Sequence, residues 1–361
     1  MGAVVLTNLP GLQTRTGIGD TEVSLVVLGV LLAAAAGSML AEPLARRWGS
    51  AWVLTPAFAL QAAGVLAAVV NLPYWALFPV YAVFGLGVGL GDAGNGMQGL
   101  AVQREYGKSI LATLFACTTG AAIVGALLVS AVNGSSLPFE ASFVIAAVVA
   151  LGTLAVARRN LLATAPAPAA SVPTALPRRG IWVYGLVIAV VFLGDGVAST
   201  WSSVFLDSTL HASAAVVPLA YAFYQGASLV ARLAGDAVIR RIGRATVLVT
   251  ATLGAVAGLA VVVVSTTPLM AIAGFAMTGL GLGVVVPVSF SAAGDLAPEH
   301  TEEIVARLNL FNYAGMLVGS AATGIVADAT SLRVAIAIPA VMLLGVLAAA
   351  RSYRTAAAAR V

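Results

Sequence analysis

The stretch Gly37-Ser-Met-Leu-Ala-Glu42-Pro-Leu-Ala-Arg46-Arg47-Trp-Gly49 interrupts two apolar runs near the start of the chain. A second stretch, Ala231-Arg232-Leu-Ala-Gly-Asp236-Ala-Val-Ile-Arg240-Arg241-Ile-Gly243-Arg244, interrupts two more in the second half. At a spacing of 194 residues Asp236 falls on Glu42, Arg241 on Arg47 and Gly243 on Gly49. An acid, paired arginines and a helix-ending glycine do not sit in hydrocarbon without cause. Their recurrence at matching points of two apolar halves indicates one duplicated membrane unit. The same offset pairs Ala63-Gly64 with Ala257-Gly258, Gly125 with Gly319, and Gly85-Leu-Gly-Val-Gly89 with Gly279-Leu-Gly-Leu-Gly283. A parallel repeat needs an even number of spans per unit, six here, to bring the chain back to its starting side.

Composition leads to the same class. Of 361 residues 60% are hydrophobic and 9% charged, against roughly 25% charged in an ordinary soluble protein. Mean hydropathy is +1.02. The net charge of +4 does not point to nucleic acid, because the basic residues sort to one side of the membrane and no aromatic-interleaved basic patch accompanies them. One cysteine, Cys117, excludes a disulfide framework within the chain. His211 and His300 stand far apart, so no metal site is expected. One lysine (Lys108) against 17 arginines suggests a GC-rich bacterial genome.

Apolar runs lie at about 23–45, 51–70, 74–101, 109–132 and 139–157, then at 181–206, 213–235, 246–265, 268–294, 303–327 and 332–350. Each approaches the length of about 20 residues that spans hydrocarbon. Before them, residues 1 to 12 form an apolar stub too short to span, closed by Pro10 and a polar run. At the 194-residue offset Met1 matches Asp195, so the first span is expected to lack its opening part through a misassigned start or a truncated gene. The expected organisation is an all-α polytopic membrane protein of two pseudo-symmetric six-helix bundles, 1–157 with its first span partial and 181–350. The segment 158–180 carries Pro166, Pro168, Pro173 and Pro177 between two arginine pairs and reads as an extended linker. Residues 351–361 form a basic tail.

Orientation follows from the positive charges. Arg46, Arg47, Arg104, Lys108, Arg158, Arg159, Arg178, Arg179, Arg240, Arg241, Arg244 and the tail arginines fall on one side, while the opposite loops hold only Arg15 and Arg333. The positive-inside rule makes the first set, the linker and the C-terminus cytoplasmic.

These features resemble the major facilitator superfamily, whose members have two six-span halves and a loop of the type G-x-x-x-D-R-x-G-R-R after span two, repeated more weakly after span eight. The second copy here follows that pattern more closely than the first, where Glu42 replaces Asp and Ser50 follows Gly49. Gly194-Asp-Gly-Val-Ala-Ser-Thr-Trp201, Pro287-Val-Ser-Phe-Ser and Asn312-Tyr-Ala-Gly315 are similar to the fucose-permease-like and related bacterial permeases. The span-five stretch Cys117-Thr-Thr-Gly120-Ala-Ala-Ile-Val-Gly125 lacks the G-P-x-x-G of drug–proton antiporters, and span four lacks their arginine. The resemblance implies a monomeric secondary transporter in the bacterial plasma membrane. It would rock around a midplane site and carry a small solute, with protons as the coupling ion and no cofactor. Gly37, Glu42, Arg46, Arg47 and Gly49, with Asp236, Arg240, Arg241, Gly243 and Arg244, would form cytoplasmic gating loops that bond acids or helix ends of the other half.

Candidate site residues are the polar groups inside apolar runs. Asp195 lies near midplane, where an ionised carboxylate costs roughly 2.5–3.5 kcal/mol on insertion scales. It reads as a proton or substrate group, or as a structural acid at a break flanked by Gly194 and Gly196. Asp92, Asn95 and Gln98 share one face of span four, turned to a cavity, or else bonded to neighbouring helices or close to the cytoplasmic interface. Tyr221, Tyr224 and Gln225 share a stripe of span eight. Asn309, Asn312 and Tyr313 lie on span eleven, and Trp201 lies one and a half turns past Asp195. Amides, phenols and an aromatic face suit a polar organic solute, while Tyr and Trp also serve as membrane-interface anchors. Export of a drug-like compound, and a receptor or scaffold without transport, are the competing readings. The glycine runs read as helix packing rather than nucleotide loops, since no strand precedes them. Gly120 and Gly125 read the same way, and Pro287 as a kink. No nucleophile–base pair or phosphate loop supports an enzyme.

Overall fold

The computed structural model describes residues 1–70, 72–106, 111–162, 178–296 and 301–353. The connector's four prolines, Lys108, His300 and the tail beyond Tyr353 lie outside them. Two short helices open the chain, α1 (Gly2–Thr7) and α2 (Leu9–Thr16). They are followed by α3 (Asp20–Trp48), α4 (Ser50–Ala67), α5 (Tyr74–Tyr106), α6 (Leu111–Asn133) and α7 (Ala141–Ala157). The second half has α8 (Arg178–Val204), α9 (Leu219–Ile242), α10 (Arg244–Val264), α11 (Pro268–Gly294), α12 (Thr301–Ala329) and α13 (Leu332–Val346). Among the described residues nine helices are long and apolar enough to cross a membrane. The other two expected spans are α7, which is apolar but 17 residues long, and α9, whose last turns hold Asp236, Arg240 and Arg241.

Helices are the only way an open chain satisfies its backbone in hydrocarbon, and the caps follow the sequence. Thr267 and Ser331 accept the backbone N–H of Met270 and Val334 at the starts of α11 and α13. The two motif stretches, expected as loops, are instead mostly helix. They form the final turns of α3 and α9, where arginines oppose the negative C-terminal dipole. The break itself is one residue: Gly49 (φ 87°, ψ 158°) and Gly243 (φ 78°, ψ 156°) take the same conformation, one essentially reserved for glycine.

The chain divides into two compact units, Met1–Ser171 and Val172–Val361. In the first, α5 packs between α3 and α4. Val4 and Val5 of α1 enter a core with Leu77, Tyr81, Phe84 and Phe143. In the second, α11 packs against α9 and α10, and α8 against α12. Trp201, Phe205, Phe275 and Tyr224 are fully buried there. Tyr353, placed in a tail by sequence, is 2% exposed and belongs to this unit. Its hydroxyl bonds Ser289 Oγ at 2.8 Å, and its ring meets Tyr184 edge-on.

Lipid tails are as apolar as leucine, so helices associate in the membrane by close fit rather than by expelling water. The glycine runs provide that fit at the same register in both halves. A methyl group on Gly85 would stand 2.3 Å from the Val30 carbonyl oxygen, and one on Gly279 2.3 Å from that of Tyr224. Gly87 and Gly281 face the carbonyls of Ala57 and Ala251 in the same way, and Gly89 and Gly283 those of Ala34 and Ser228. Every one of these partner pairs is separated by 194 residues. Gly315 and Gly319 fit α12 against Ala189 and Leu193 of α8. Gly120 differs: nothing lies within 4 Å of the position its Cβ would take, so packing does not account for it.

A single methyl group therefore separates tight from open positions. Gly279→Ala should lose about 1–3 kcal/mol through overpacking against backbone. Gly254→Ala, with nothing within 4 Å, should lose no stability. Thermal unfolding of the purified variants in detergent checks the pair.

Candidate functional site

Asp195 lies 17 residues into α8, whose start at Arg178 precedes the expected one by three residues. Gly196 brings α8 close to α12: a methyl group there would lie 2.8 Å from the Met316 carbonyl oxygen. The helix is unbroken at Gly194-Asp195-Gly196, so the flanking glycines serve packing rather than a break. The carboxylate is half-buried and accepts the Tyr224 hydroxyl at 2.5 Å. One turn away Gln225 Nε2 donates to the Tyr221 hydroxyl at 3.2 Å. Tyr224 is 0% and Tyr221 5% exposed. Both phenols are thus held in the protein interior, with no role as interface anchors.

The cluster extends along α9 beyond the three residues that helical spacing singles out. Tyr221, Gln225, Ser228 and Arg232 recur at helical intervals and line one face. Arg232 is exposed, and its positive charge acts on both Asp195 and Tyr224. In the sequence it stands at the head of the basic motif, which hides its place in the polar stripe. Its spacing of seven residues from Gln225 is the signal that ties it there. The assembly is a carboxylate, two phenols, an amide and a guanidinium in one half of the molecule. Such a group can exchange a proton at the carboxyl and offer both donors and acceptors to a polar solute.

The other expected residues separate. Trp201 is fully buried and donates its indole N–H to the Ser320 carbonyl at 2.9 Å. Thr200 bonds the Ser320 hydroxyl beside it at 3.1 Å. Trp201 therefore joins α8 to α12 and offers no free face for stacking. Asn309 and Asn312 are half-buried on α12 and Tyr313 is exposed. Among the described residues no hydrogen bond links either asparagine to the Asp195 cluster.

On α5, Asp92 is exposed and Asn95 half-buried, whereas Gln98 is engaged at both ends of its amide. Its Nε2 donates to Ser50 Oγ at 2.8 Å and to the Leu162 carbonyl at 2.7 Å. Its Oε1 accepts the Leu162 N–H at 3.1 Å. Gln98 thus clamps the chain leaving α7 to the start of α4, a pairing that i, i+3, i+6 spacing on one helix does not reveal.

At the first motif stretch the contacts are local. Arg46 binds Glu42 at 2.5 Å on the same helix, a pair worth only a few tenths of a kcal/mol when exposed. Arg47 lies over the Trp48 ring at 5.0 Å. A methyl group on Gly37 would stand 2.3 Å from the Leu86 carbonyl oxygen, so this glycine fits α3 to α5. At the second stretch Arg244 reaches Asp295 and Ser291 at the end of α11. Arg240 and Arg241 are exposed, and the Asp236 side chain lies outside the described ones. No group of three His, Cys, Asp or Glu side chains is placed to hold a metal ion among the described residues.

Comparison with known proteins adds family context to this geometry. The model of the Major Facilitator Superfamily matches residues 1–183 and again 184–360. An uncharacterized MFS-type transporter of Yersinia pestis is 30% identical over 349 residues, which cover 95% of this chain and 90% of the relative. An uncharacterized transporter of Sinorhizobium fredii is 26% identical over 326 residues, covering 88% and 86%. A solved structure of a mutant of the nucleoside transporter NupG superposes with a TM-score of 0.79. The match covers 97% of this chain and 95% of that one at 13% sequence identity, which shows a shared fold.

The contrast between the engaged and the open polar residues can be measured. Gln98→Leu should cost about 1–3 kcal/mol, because it leaves the Leu162 N–H and carbonyl without their partner. Asn309→Leu should cost less than about 1 kcal/mol, since no such pairing is seen there among the described residues. Thermal midpoints of the two variants, compared in one detergent, decide it.

Proposed function

The chain belongs to the Major Facilitator Superfamily, and on that premise we propose that it is a proton-coupled secondary transporter. Its cargo is a small polar organic solute. The observation that carries this reading is the Asp195–Tyr224 contact inside a membrane span. A carboxylate in that position is expensive unless it is hydrogen-bonded, hydrated or neutralised, and such residues mark ion and substrate paths. Tyr224 supports the charged form by donating to it. On protonation the carboxyl gains an O–H donor while its carbonyl oxygen still accepts, so the Tyr224 hydroxyl can keep donating to it or turn to accept. The charge of the cluster and its supply of hydrogen-bond donors therefore change together with the proton.

Alternating access couples this event to movement, since a ligand shifts a conformational equilibrium only by its differential affinity for the two states. Protonation of Asp195 changes the charge opposed by Arg232, and solute binding to Tyr221 and Gln225 would favour the same state. The exposed arginines at the ends of α3 and α9 lie on the basic, cytoplasmic side, where they would meet acids or helix ends as that side closes. The same charge bias puts the C-terminus inside, and one lysine against 17 arginines suits the plasma membrane of a GC-rich bacterium. Phenols and amides match the hydroxyls and ring nitrogens of nucleosides, the cargo for which the transporter NupG is named, so nucleosides belong in the first substrate panel beside sugars.

Reconstituted protein should accumulate a panel solute when a proton gradient is imposed and merely equilibrate it without one. Asp195→Asn should lose gradient-driven accumulation by roughly tenfold or more while keeping downhill exchange. Full-rate accumulation by Asp195→Asn with an unchanged pH profile would remove the coupling role from this residue. Tyr224→Phe should retain accumulation but shift its pH profile, since the phenol no longer stabilises the carboxylate.

A further inference from the structure

Arg15 and Arg333 are the two arginines on the side that is otherwise free of positive charge, and neither is spent on water. Arg15, in the last turn of α2, donates Nη2 to the Ala68 carbonyl at 2.7 Å and Nη1 to the Val69 carbonyl at 3.3 Å. Arg333, in the first turn of α13, donates Nη1 to the Val263 carbonyl and Nη2 to the Ser265 carbonyl, the latter at 2.7 Å. These carbonyls close α4 and α10, where the last acceptors of a helix have no partner of their own and the dipole is negative. Val69 and Val263 are 194 residues apart, so both guanidinium groups reach the same carbonyl of the repeat.

The two arginines themselves are not equivalent positions. At the repeat offset Arg333 corresponds to Phe139, and Phe205 to Gly11. In the first half Arg15 stands over the Phe139 ring at 5.4 Å, and that ring lies against Gly11, 3.4 Å from where a Cβ would be. In the second half Arg333 stands over the Phe205 ring at 5.5 Å. The pair has traded places: the cation comes from the first helical segment and the ring from the last in one half, and the reverse in the other. Glu140 adds a carboxylate 3.5 Å from Arg15. One arrangement reached from opposite members of the pair indicates that the contact, not the residue, is what the fold requires.

We propose that Arg15 and Arg333 are pins that tie the first and last helical segments of each half to the end of α4 in the first half and of α10 in the second. Each half then keeps its outer end rigid while it moves. A guanidinium suits this task because its planar fork serves two carbonyls at once and stays charged. The ring beneath it takes the remaining face. In the second half the pinned segment begins at Phe205, directly after α8, which carries Asp195, yet the pin holds whether or not Asp195 exchanges protons.

The test uses the full chain with Cys117→Ser, reconstituted in lipid nanodiscs, with spin labels on His211→Cys and Thr266→Cys. Their separation should be narrowly distributed with Arg333 in place and broaden in Arg333→Gln, alongside a loss of several degrees in thermal midpoint. Arg333→Lys, a point charge without the fork, should fall between the two. The decisive variant transplants the first half's arrangement: Phe205→Gly, Thr209→Arg and Arg333→Phe together should recover at least half of the midpoint lost by Arg333→Phe alone. An unchanged distance distribution and midpoint in Arg333→Gln would overturn the proposal. So would a triple variant no better than Arg333→Phe, or, where Arg333→Phe fails to fold, Lys and Gln variants of equal stability.

Discussion

Everything in this molecule depends on backbone meeting backbone where water cannot help. In hydrocarbon the association of two helices gains nothing from hiding apolar surface, so it must come from contact distance. Gly85, Gly87 and Gly89 set that distance for α5 against α3 and α4. Gly279, Gly281 and Gly283 set it for α11 against α9 and α10, on carbonyls 194 residues further on. The central helix of each half is thereby held between two neighbours. One consequence reaches the polar cluster: the carbonyl against which Gly279 packs is that of Tyr224, the residue that donates to Asp195.

The same scarcity of water governs the charges. Glu42 and Arg46, exposed at a helix end, need only each other. Arg15 and Arg333 neutralise helix ends by binding their carbonyls. Asp195, in the span itself, is held by a buried phenol and faces the field of Arg232. The cost of leaving such a charge without partners rises with depth in the membrane. Asp195, an acid inside a span with a reversible partner in Tyr224, is the residue on which the proposed proton coupling rests.

Asp195 stands out in the sequence because a carboxylate within a long apolar run is anomalous against its neighbours, and Tyr221, Tyr224 and Gln225 because helical spacing puts them on one stripe. Arg232 belongs to that stripe, but its neighbours in the chain make it look like part of a basic motif. Trp201 and Gln98 look alike from sequence, polar groups near a candidate path. Their partners, the Ser320 carbonyl and Leu162, are 119 and 64 residues away in the chain. No local pattern reports a hydrogen bond to a backbone group on a distant segment. Gly120 shows the converse, a glycine in a small-residue run where a Cβ would meet nothing within 4 Å.

What the sequence by itself determined is the set of properties that lipid reads one residue at a time: which stretches are long apolar helices, which ends of them carry the basic residues, and that the chain is two copies of one unit. Those follow from transfer cost and helical period, and both are local. Tertiary structure alone decided which polar groups are free for a solute and which are already used. That outcome depends on which carbonyl or hydroxyl another helix brings within about 3 Å. Arg15 and Arg333 express both halves of the answer: their place among loops poor in positive charge was legible, and their common target became visible only when α4 and α10 ended beside them.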